Sequence, residues 1–390
     1  MPKTFMEGSG AVAEAVRACR PNVIAAYPIT PQTHITEELS RMVANGLIKA
    51  EYVTVESEHS AASVVLGASA TGARTYTASS SQGIIYMAEV LFCISGMRLP
   101  VVLTCANRAL SAPINIWNDQ QDSISVRDAG WVQLYAEDVQ EACDMHLQAY
   151  RIAEHPEVML PVMVCMDGFV LTHAYEPVDL IEQAEADAFL PPYQPQYYLT
   201  PKNPLTFGAM LGPESYMEVR YQLDKALRDS AKIIEEVALE FQKKFGRFQG
   251  TLIDTYQVEG AEIVLVAMGS VVSTIKEAID TLRKEGEKVG VLKVRSFRPF
   301  PKEEICEVLG GAKEVLVLDR AFSPGSGGVL TNEVRAAFCG RKPTPQIRGH
   351  IIGLGGREIN VETIIGIIKN RAEVGREDKF VDLKEALIGG

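Results

Sequence analysis

Glu58 stands in VESEHSAASVVLGASATG (residues 55–72), a stretch built largely of alanine, serine, glycine and valine. Small neighbours let another backbone, or another subunit, approach closely and strip water from the carboxylate unless a donor meets it. The plainer alternative is an exposed acid in the first turn of a helix, where the positive end of the helix dipole favours it. Arg108 opens a second such segment, ANRALSAPINIWNDQQD (106–122), directly after the apolar run PVVLT. A guanidinium at a strand end can clamp a substrate carboxylate through two parallel hydrogen bonds; a salt bridge to Asp119 or Asp122, at the end of the same loop, would explain it as well. A third segment, YPITPQT (27–33), has Pro28 and Pro31 stiffening the backbone so that Thr30 presents a fixed hydroxyl, or simply makes a rigid turn. The fourth, TASSSQG (77–83), is a hydroxyl-rich turn suited to holding a ligand with amides and serines, or to capping a helix.

These segments have a common position. VIAAY (23–27), EYVTV (51–55), RTYTA (74–78), PVVLT (100–104) and LPVMVCM (160–166) read as short β-branched strands alternating with amphipathic or small-residue helices. Each candidate segment follows one of the first four, and in an open parallel sheet ligands bind beyond the carboxyl ends of the strands. The clearest helix is DVQEACDMHLQAYRIAEH, with Asp138 as its cap and Glu141 three residues on. Residues 174–205 hold six prolines and no sustained period and read as a long irregular arm, followed by a strong helical period from about 215 to 245. A second α/β unit then begins, with strands expected at 262–268, 288–294, 313–319 and 346–353. At 390 residues the chain exceeds what one core usually supports, so two domains are expected, 1–250 and 251–390.

Composition narrows the chemistry. The net charge of −12 disfavours nucleic acid and anionic membrane as partners, since both are polyanions. No long apolar run and no signal-like N-terminus is present, so a cytoplasmic protein is expected. Seven cysteines occur, none at Cys-x-x-Cys spacing, and the six histidines show no metal-ligand spacing; the chain is expected to bind no metal or iron–sulfur cluster by itself. The Asp167-Gly168 pair reads as structural, and SPGSGG (323–328) and GLGG (353–356) read as tight turns without an assigned ligand.

Taken together and in their order along the chain, the four segments resemble the alpha subunit of the pyruvate:ferredoxin oxidoreductase family. The likeness continues through CMDGFVLTH (165–173), LKVRSFRPFP (292–301), VLDR (317–320) and IIGLGGRE (351–358), with YPITP and ESEHSA its most specific parts. It implies an α/β fold, a pyrimidine-type thiamine-diphosphate-binding domain followed by a transketolase C-terminal-like domain. It implies that Glu58 hydrogen-bonds N1′ of the thiamine aminopyrimidine, that Pro28 and Ile29 lie against the cofactor, and that Thr30 and Arg108 contact the oxoacid. The chain has no Gly-Asp-Gly motif, so diphosphate and Mg2+ are expected on a beta subunit and iron–sulfur clusters on a ferredoxin-like delta subunit, with a gamma subunit, ferredoxin and coenzyme A completing the system.

One arginine at the site loops favours a monocarboxylate, because a second substrate carboxylate would want a second cation. Pyruvate is the expected substrate, with bulky Ile114, Ile116 and Trp117 shortening the pocket; Arg98, in SGMRLP, is a possible second cation. Branched-chain 2-oxoacids and 2-oxoglutarate are the alternatives. A non-catalytic assembly paralogue and an enzyme passing acyl groups to lipoamide are the rivals from other classes.

Overall fold

The computed structural model describes residues 3–373 and 377–389. Strand β1 (Thr4–Glu7) runs into α1 (Gly8–Ala18), and strands and helices then alternate: β2 (Val23–Ala26), α2 (Thr33–Ala44), β3 (Glu51–Thr54), α3 (Glu58–Ala70), β4 (Thr75–Ser79). Two short helices, α4 (Gln82–Tyr86) and α5 (Ala88–Gly96), precede β5 (Val102–Asn107); α6 (Gln121–Ser125), β6 (Val132–Tyr135), α7 (Val139–Ala153) and β7 (Val162–Asp167) follow. Next come β8 (Tyr175–Val178), α8 (Gln183–Phe189) and the long α9 (Tyr216–Phe245). The second half contains β9 (Ile253–Tyr256), β10 (Ile263–Ala267), α10 (Val271–Lys284), β11 (Val289–Val294), β12 (Ser296–Arg298), α11 (Lys302–Leu309) and β13 (Glu314–Asp319). A small hairpin, β14 (Phe322–Ser323) and β15 (Gly327–Gly328), leads to α12 (Val329–Ala337), β16 (Gln346–Ile351), α13 (Val361–Lys369) and β17 (Lys379–Phe380).

The fold is α/β, as the alternation predicts. The first sheet has the order β12-β6-β7-β5-β4-β2-β3 and is parallel except for β12. Every residue of β4, β5 and β7 is buried, the expected state of strands covered by helices on both faces. The chain steps outward from β2 to β3 and then returns past β2 to β4, so the loops after β2 and β4 diverge from a switch point, where a crevice forms. The second sheet, β17-β16-β13-β10-β11-β9, is parallel except for the edge strand β9.

The arm expected over 174–205 is more ordered than its prolines suggest. It opens with β8, which pairs antiparallel with β1, Thr4 opposite Val178, and continues into α8. Strand β8 is four residues with a proline, and its partner lies at the other end of the first unit, so no local period reveals it. Strands β6 and β9 are also absent from the sequence reading. Among the described residues, no helix is long and apolar enough to cross a membrane.

The halves are joined in three ways. Strand β12, from the second half, completes the first sheet by pairing with β6, Ser296 opposite Leu134. A single apolar cluster takes in Val65, Leu91 and Leu103 from the first half and Val266, Leu292 and Phe297 from the second. A buried ionic network lies beside them: Lys293 Nζ is 3.1 Å from both Glu137 and Glu141, and Arg295 Nε is 3.1 Å from Glu141. Lys276 adds a bond of 2.8 Å to Glu137, and Arg295 also donates to Gln148 at 2.8 Å. The LKVRSFRPFP segment thus supplies the pairing strand and two of the three cations, Lys293 and Arg295.

Glu141→Ala is expected to leave Lys293 and Arg295 short of a shared counter-charge and to destabilise the chain by about 3–5 kcal/mol. The denaturant midpoint reads this, and a shift below about 1 kcal/mol would count against the network. Burial pushes the Glu137 carboxyl up, but Lys293 and Lys276 more than offset that and hold it below its usual range. Its contribution is therefore full above the ordinary glutamate range and lost as pH falls through the lower folded value, so the Lys276→Met variant is expected to show a weaker acid dependence of stability.

Candidate functional site

Helix α3 begins at Glu58, with Ser57 as its cap: the Ser57 hydroxyl accepts from Ser60 N at 3.1 Å. Glu58 is the first helical residue, yet it is 8% exposed. The approach that buries it is Gly83, at the end of TASSSQG. A Cβ at position 83 would lie 2.7 Å from Glu58 Oε1 and 2.3 Å from Ser79 Oγ, so only glycine fits. The Glu58 carboxylate makes no hydrogen bond or ion pair with any described residue. Ser79 Oγ beside it is buried and has no partner either.

Arg108 is 7% exposed at the end of β5. Its Nη1 donates to the Thr30 carbonyl at 2.9 Å and its Nε to the Asn115 carbonyl at 3.0 Å. The salt bridge that would have explained it is not formed. Asp119 instead accepts from the amides of Gln121 and Gly355 at 3.0 and 3.1 Å, and Asp122 accepts from the backbone amide of Arg108 at 3.0 Å. Burial lowers the pKa of the guanidinium from its usual value. A desolvated cation bonded only to carbonyls is a site for an anion. Thr30 itself is exposed, with its hydroxyl unengaged among the described residues, and Pro28 beside it is also exposed. Ile29, half-buried, is held by Gln32, whose Oε1 accepts from Ile29 N at 3.2 Å while its Nε2 donates to the Ala78 carbonyl at 2.8 Å.

Asp122 organises these loops. It is fully buried and accepts from Ser81 N at 2.8 Å, Arg108 N at 3.0 Å, Asn107 Nδ2 at 2.8 Å and Ser123 N at 2.8 Å. Burial raises its pKa to about 6, against the pull of those donors. One carboxylate therefore fixes both the turn that covers Glu58 and the strand end that carries Arg108. Ser81 is held at φ +51°, a left-handed conformation rare for a residue with a side chain. The serines of TASSSQG do not cap α4; Ser80 donates to the Ala106 carbonyl at 2.6 Å and Ser81 to the Ala109 carbonyl at 2.5 Å, tying the turn to the Arg108 loop.

Sequence reasoning counted Asp122 only as an ion-pair partner and passed over Gln32 and Gly83. Spacing gave no signal that Asp122 serves backbone amides of two loops. The Asp167-Gly168 pair is structural, as expected: Asp167 accepts from Arg320 Nη1 at 2.8 Å and Ser270 N at 2.8 Å, across the two halves. The GLGG turn packs on the 106–122 loop, where Gly355 N meets Asp119 and Gly356 N donates to the Asn118 carbonyl at 2.7 Å. Arg98 lies before β5, at the opposite end of the strand from Arg108, and donates to the carbonyls of Val158 and Met159. His59 lies 3.3 Å from Glu89 at the surface. Trp131 is a packing residue, whereas Trp117 is 52% exposed and Ile114 79% exposed.

Comparison with known proteins identifies the family. Residues 14–239 match the family model described as pyruvate flavodoxin/ferredoxin oxidoreductase, thiamine diP-bdg, and residues 261–364 match the pyruvate:ferredoxin oxidoreductase core domain II. Pyruvate synthase subunit PorA of Methanosarcina barkeri is 54% identical, over 98% of this chain and 97% of its own length. Ketoisovalerate oxidoreductase subunit VorA of Pyrococcus horikoshii is 45% identical over 97% of each chain. A solved 2-oxoglutarate:ferredoxin oxidoreductase from Magnetococcus marinus, with 2-oxoglutarate, coenzyme A and succinyl-CoA bound, superimposes with a TM-score of 0.73 at 19% identity. That match covers 94% of this chain and 65% of the solved one, and it supports the fold. The chain belongs to the pyruvate flavodoxin/ferredoxin oxidoreductase family, as one of its thiamine-diphosphate-binding alpha-type subunits.

Proposed function

We propose that this chain is the alpha subunit of a cytoplasmic pyruvate:ferredoxin oxidoreductase, which converts pyruvate and coenzyme A reversibly to acetyl-CoA and carbon dioxide while reducing ferredoxin. The observation that carries the reading is Arg108, a buried guanidinium with no counter-charge in contact, beside Thr30 in a chain 54% identical to a pyruvate synthase subunit. Residues 1–250 act as the pyrimidine-type unit and 251–390 as the transketolase C-terminal-like unit.

Thiamine diphosphate fits the residues present. The unpartnered, buried Glu58 and the orphaned Ser79 hydroxyl suit the polar edge of an aminopyrimidine, and Pro28 and Ile29 offer it a stiff flank. When bound, the cofactor supplies a nucleophilic carbon for a 2-oxo group and a sink for the electrons released on decarboxylation. Glu58 holds a proton at its carboxylate against the ring nitrogen, in a setting that the close approach of Gly83 narrows. Arg108 binds and orients the oxoacid carboxylate, and Thr30 offers a hydroxyl to the oxo group; both are placed by Asp122 and by the Thr30 carbonyl. The chain lacks a Gly-Asp-Gly segment, so we assign the diphosphate and Mg2+ to a beta subunit. Iron–sulfur clusters belong to a ferredoxin-like delta subunit, and a gamma subunit completes the assembly.

Arg98 is engaged at the far end of β5 and Arg320 is paired with Asp167, which leaves Arg108 to meet one carboxylate. A monocarboxylic oxoacid follows. The 45% identity to the ketoisovalerate subunit makes 2-oxoisovalerate the second reading. Purified complex is expected to turn over pyruvate with a higher kcat/KM than 2-oxoisovalerate or 2-oxoglutarate; the reverse order would refute the substrate assignment. Glu58→Gln is expected to keep the melting temperature and lower turnover by about 10²–10⁴-fold, the span typical of a positioned proton-transfer group. Unchanged exchange of the cofactor's C2 proton in that variant would remove Glu58 from the role. Arg108→Ala is expected to lower kcat/KM for pyruvate by roughly 30-fold or more, since a buried charge contact is worth about 2–5 kcal/mol, and parent-like kinetics would exclude Arg108.

A further inference from the structure

The histidines have no metal-ligand spacing along the sequence, but folding gathers two of them with an acid. One nitrogen each from His34 and His173 and a carboxylate oxygen of Glu7 all lie within 4.8 Å of one another. The three residues come from separate elements: the end of β1, the first turn of α2 and the turn before β8. Their frame is fixed by backbone bonds. Gly8 N donates to the Ala174 carbonyl at 2.9 Å, and Ser9 donates to the Thr172 carbonyl from N at 2.9 Å and Oγ at 2.8 Å. A Cβ at position 8 would stand 1.9 Å from the Leu171 carbonyl oxygen, so the glycine is what lets the two segments close together.

Within this frame His34 Nδ1 is 2.8 Å from Glu7 Oε1, and the two imidazole rings are neighbours, tilted by 36° with centroids 4.9 Å apart. His173 Nδ1 is 2.7 Å from Thr172 Oγ1, which also accepts from Phe169 N at 2.8 Å. When Thr172 Oγ1 accepts from Nδ1–H, the lone pair of His173 rests on Nε2; a metal-bound histidine is held by an outer partner in this way. The His34–Glu7 pair alone would account for two of the residues, but not for the second imidazole held against the first.

We propose that Glu7, His34 and His173 form a divalent transition-metal site of two imidazoles and one carboxylate, with its remaining positions open to solvent. Zinc suits this donor set, and the same set takes nickel or cobalt. Tetrahedral metal–ligand bonds of about 2.0–2.2 Å place neighbouring ligand atoms about 3.3–3.6 Å apart, within small side-chain rotations of the arrangement observed. Bound metal would clasp the β1–β8 ribbon to α2. A row of rings runs from His173 to Phe169, at 4.8 Å, and on to Trp117, at 4.5 Å, in the loop that bears Arg108.

That row supplies the test. Trp117 is one of two tryptophans, and the other, Trp131, is buried. Titrating the full chain with Ni(II) is expected to quench Trp117 emission with one metal per chain, and Zn(II) is expected to compete for the same site. His34→Ala and His173→Ala should each weaken apparent affinity at least tenfold, while Cys93→Ser and Cys339→Ser, at the less buried thiols, should leave it unchanged. Equal affinity in the parent and the double histidine variant, or loss of binding in either cysteine variant, would overturn the proposal.

Discussion

Keeping the Arg108 guanidinium largely away from water without a contacting ion pair among the described residues is the constraint on which the site depends. Two acids lie in the same loop, and either could neutralise it. Both are committed to backbone amides instead, Asp119 to Gln121 and Gly355 and Asp122 to Ser81, Arg108 and Ser123. A buried cation left in this state raises the free energy of the empty chain and rewards an anion that fits. Glu58 is the complementary case, a carboxylate enclosed by a glycine turn and denied any donor. Both groups are thus arranged as the proposed ligand roles require.

The second half does structural work for that preparation. Ser270 and Arg320 hold Asp167 at the end of β7, and the GLGG turn receives the loop that carries Arg108. Glu141 shows how tightly the parts are coupled. It sits in the first turn of α7, where its Oε2 accepts from Glu137 N at 2.7 Å, and it is also the shared counter-ion of Lys293 and Arg295. A helix start and a contact between halves therefore use the same carboxylate, so a change there acts on both.

What could be read from the sequence was whatever depends on local pattern. Most of the buried strands announce themselves as apolar or β-branched runs, β6 being the exception, and the loops after them mark where chemistry can occur. The close packing around Glu58 is visible in its small neighbours, although the residue that packs on it, Gly83, lies in another segment. Contacts between distant segments are invisible to such reading. Strand β8 is recognisable only through its pairing with β1, and Asp122 only through the amides it collects. The clustering of Glu7, His34 and His173 belongs to the same class, since no spacing rule connects residues from three elements.

The strand that closes the first sheet has a further meaning. Residues 296–298 cover the free side of β6, although they follow the whole of α9 and the strands β9, β10 and β11 of the second unit. A polypeptide cut near residue 250 would expose a bare row of amides and carbonyls, inviting adhesion to any extended chain. The boundary between the halves is thus a seam in sequence but not in hydrogen bonding, and neither half is a free-standing module.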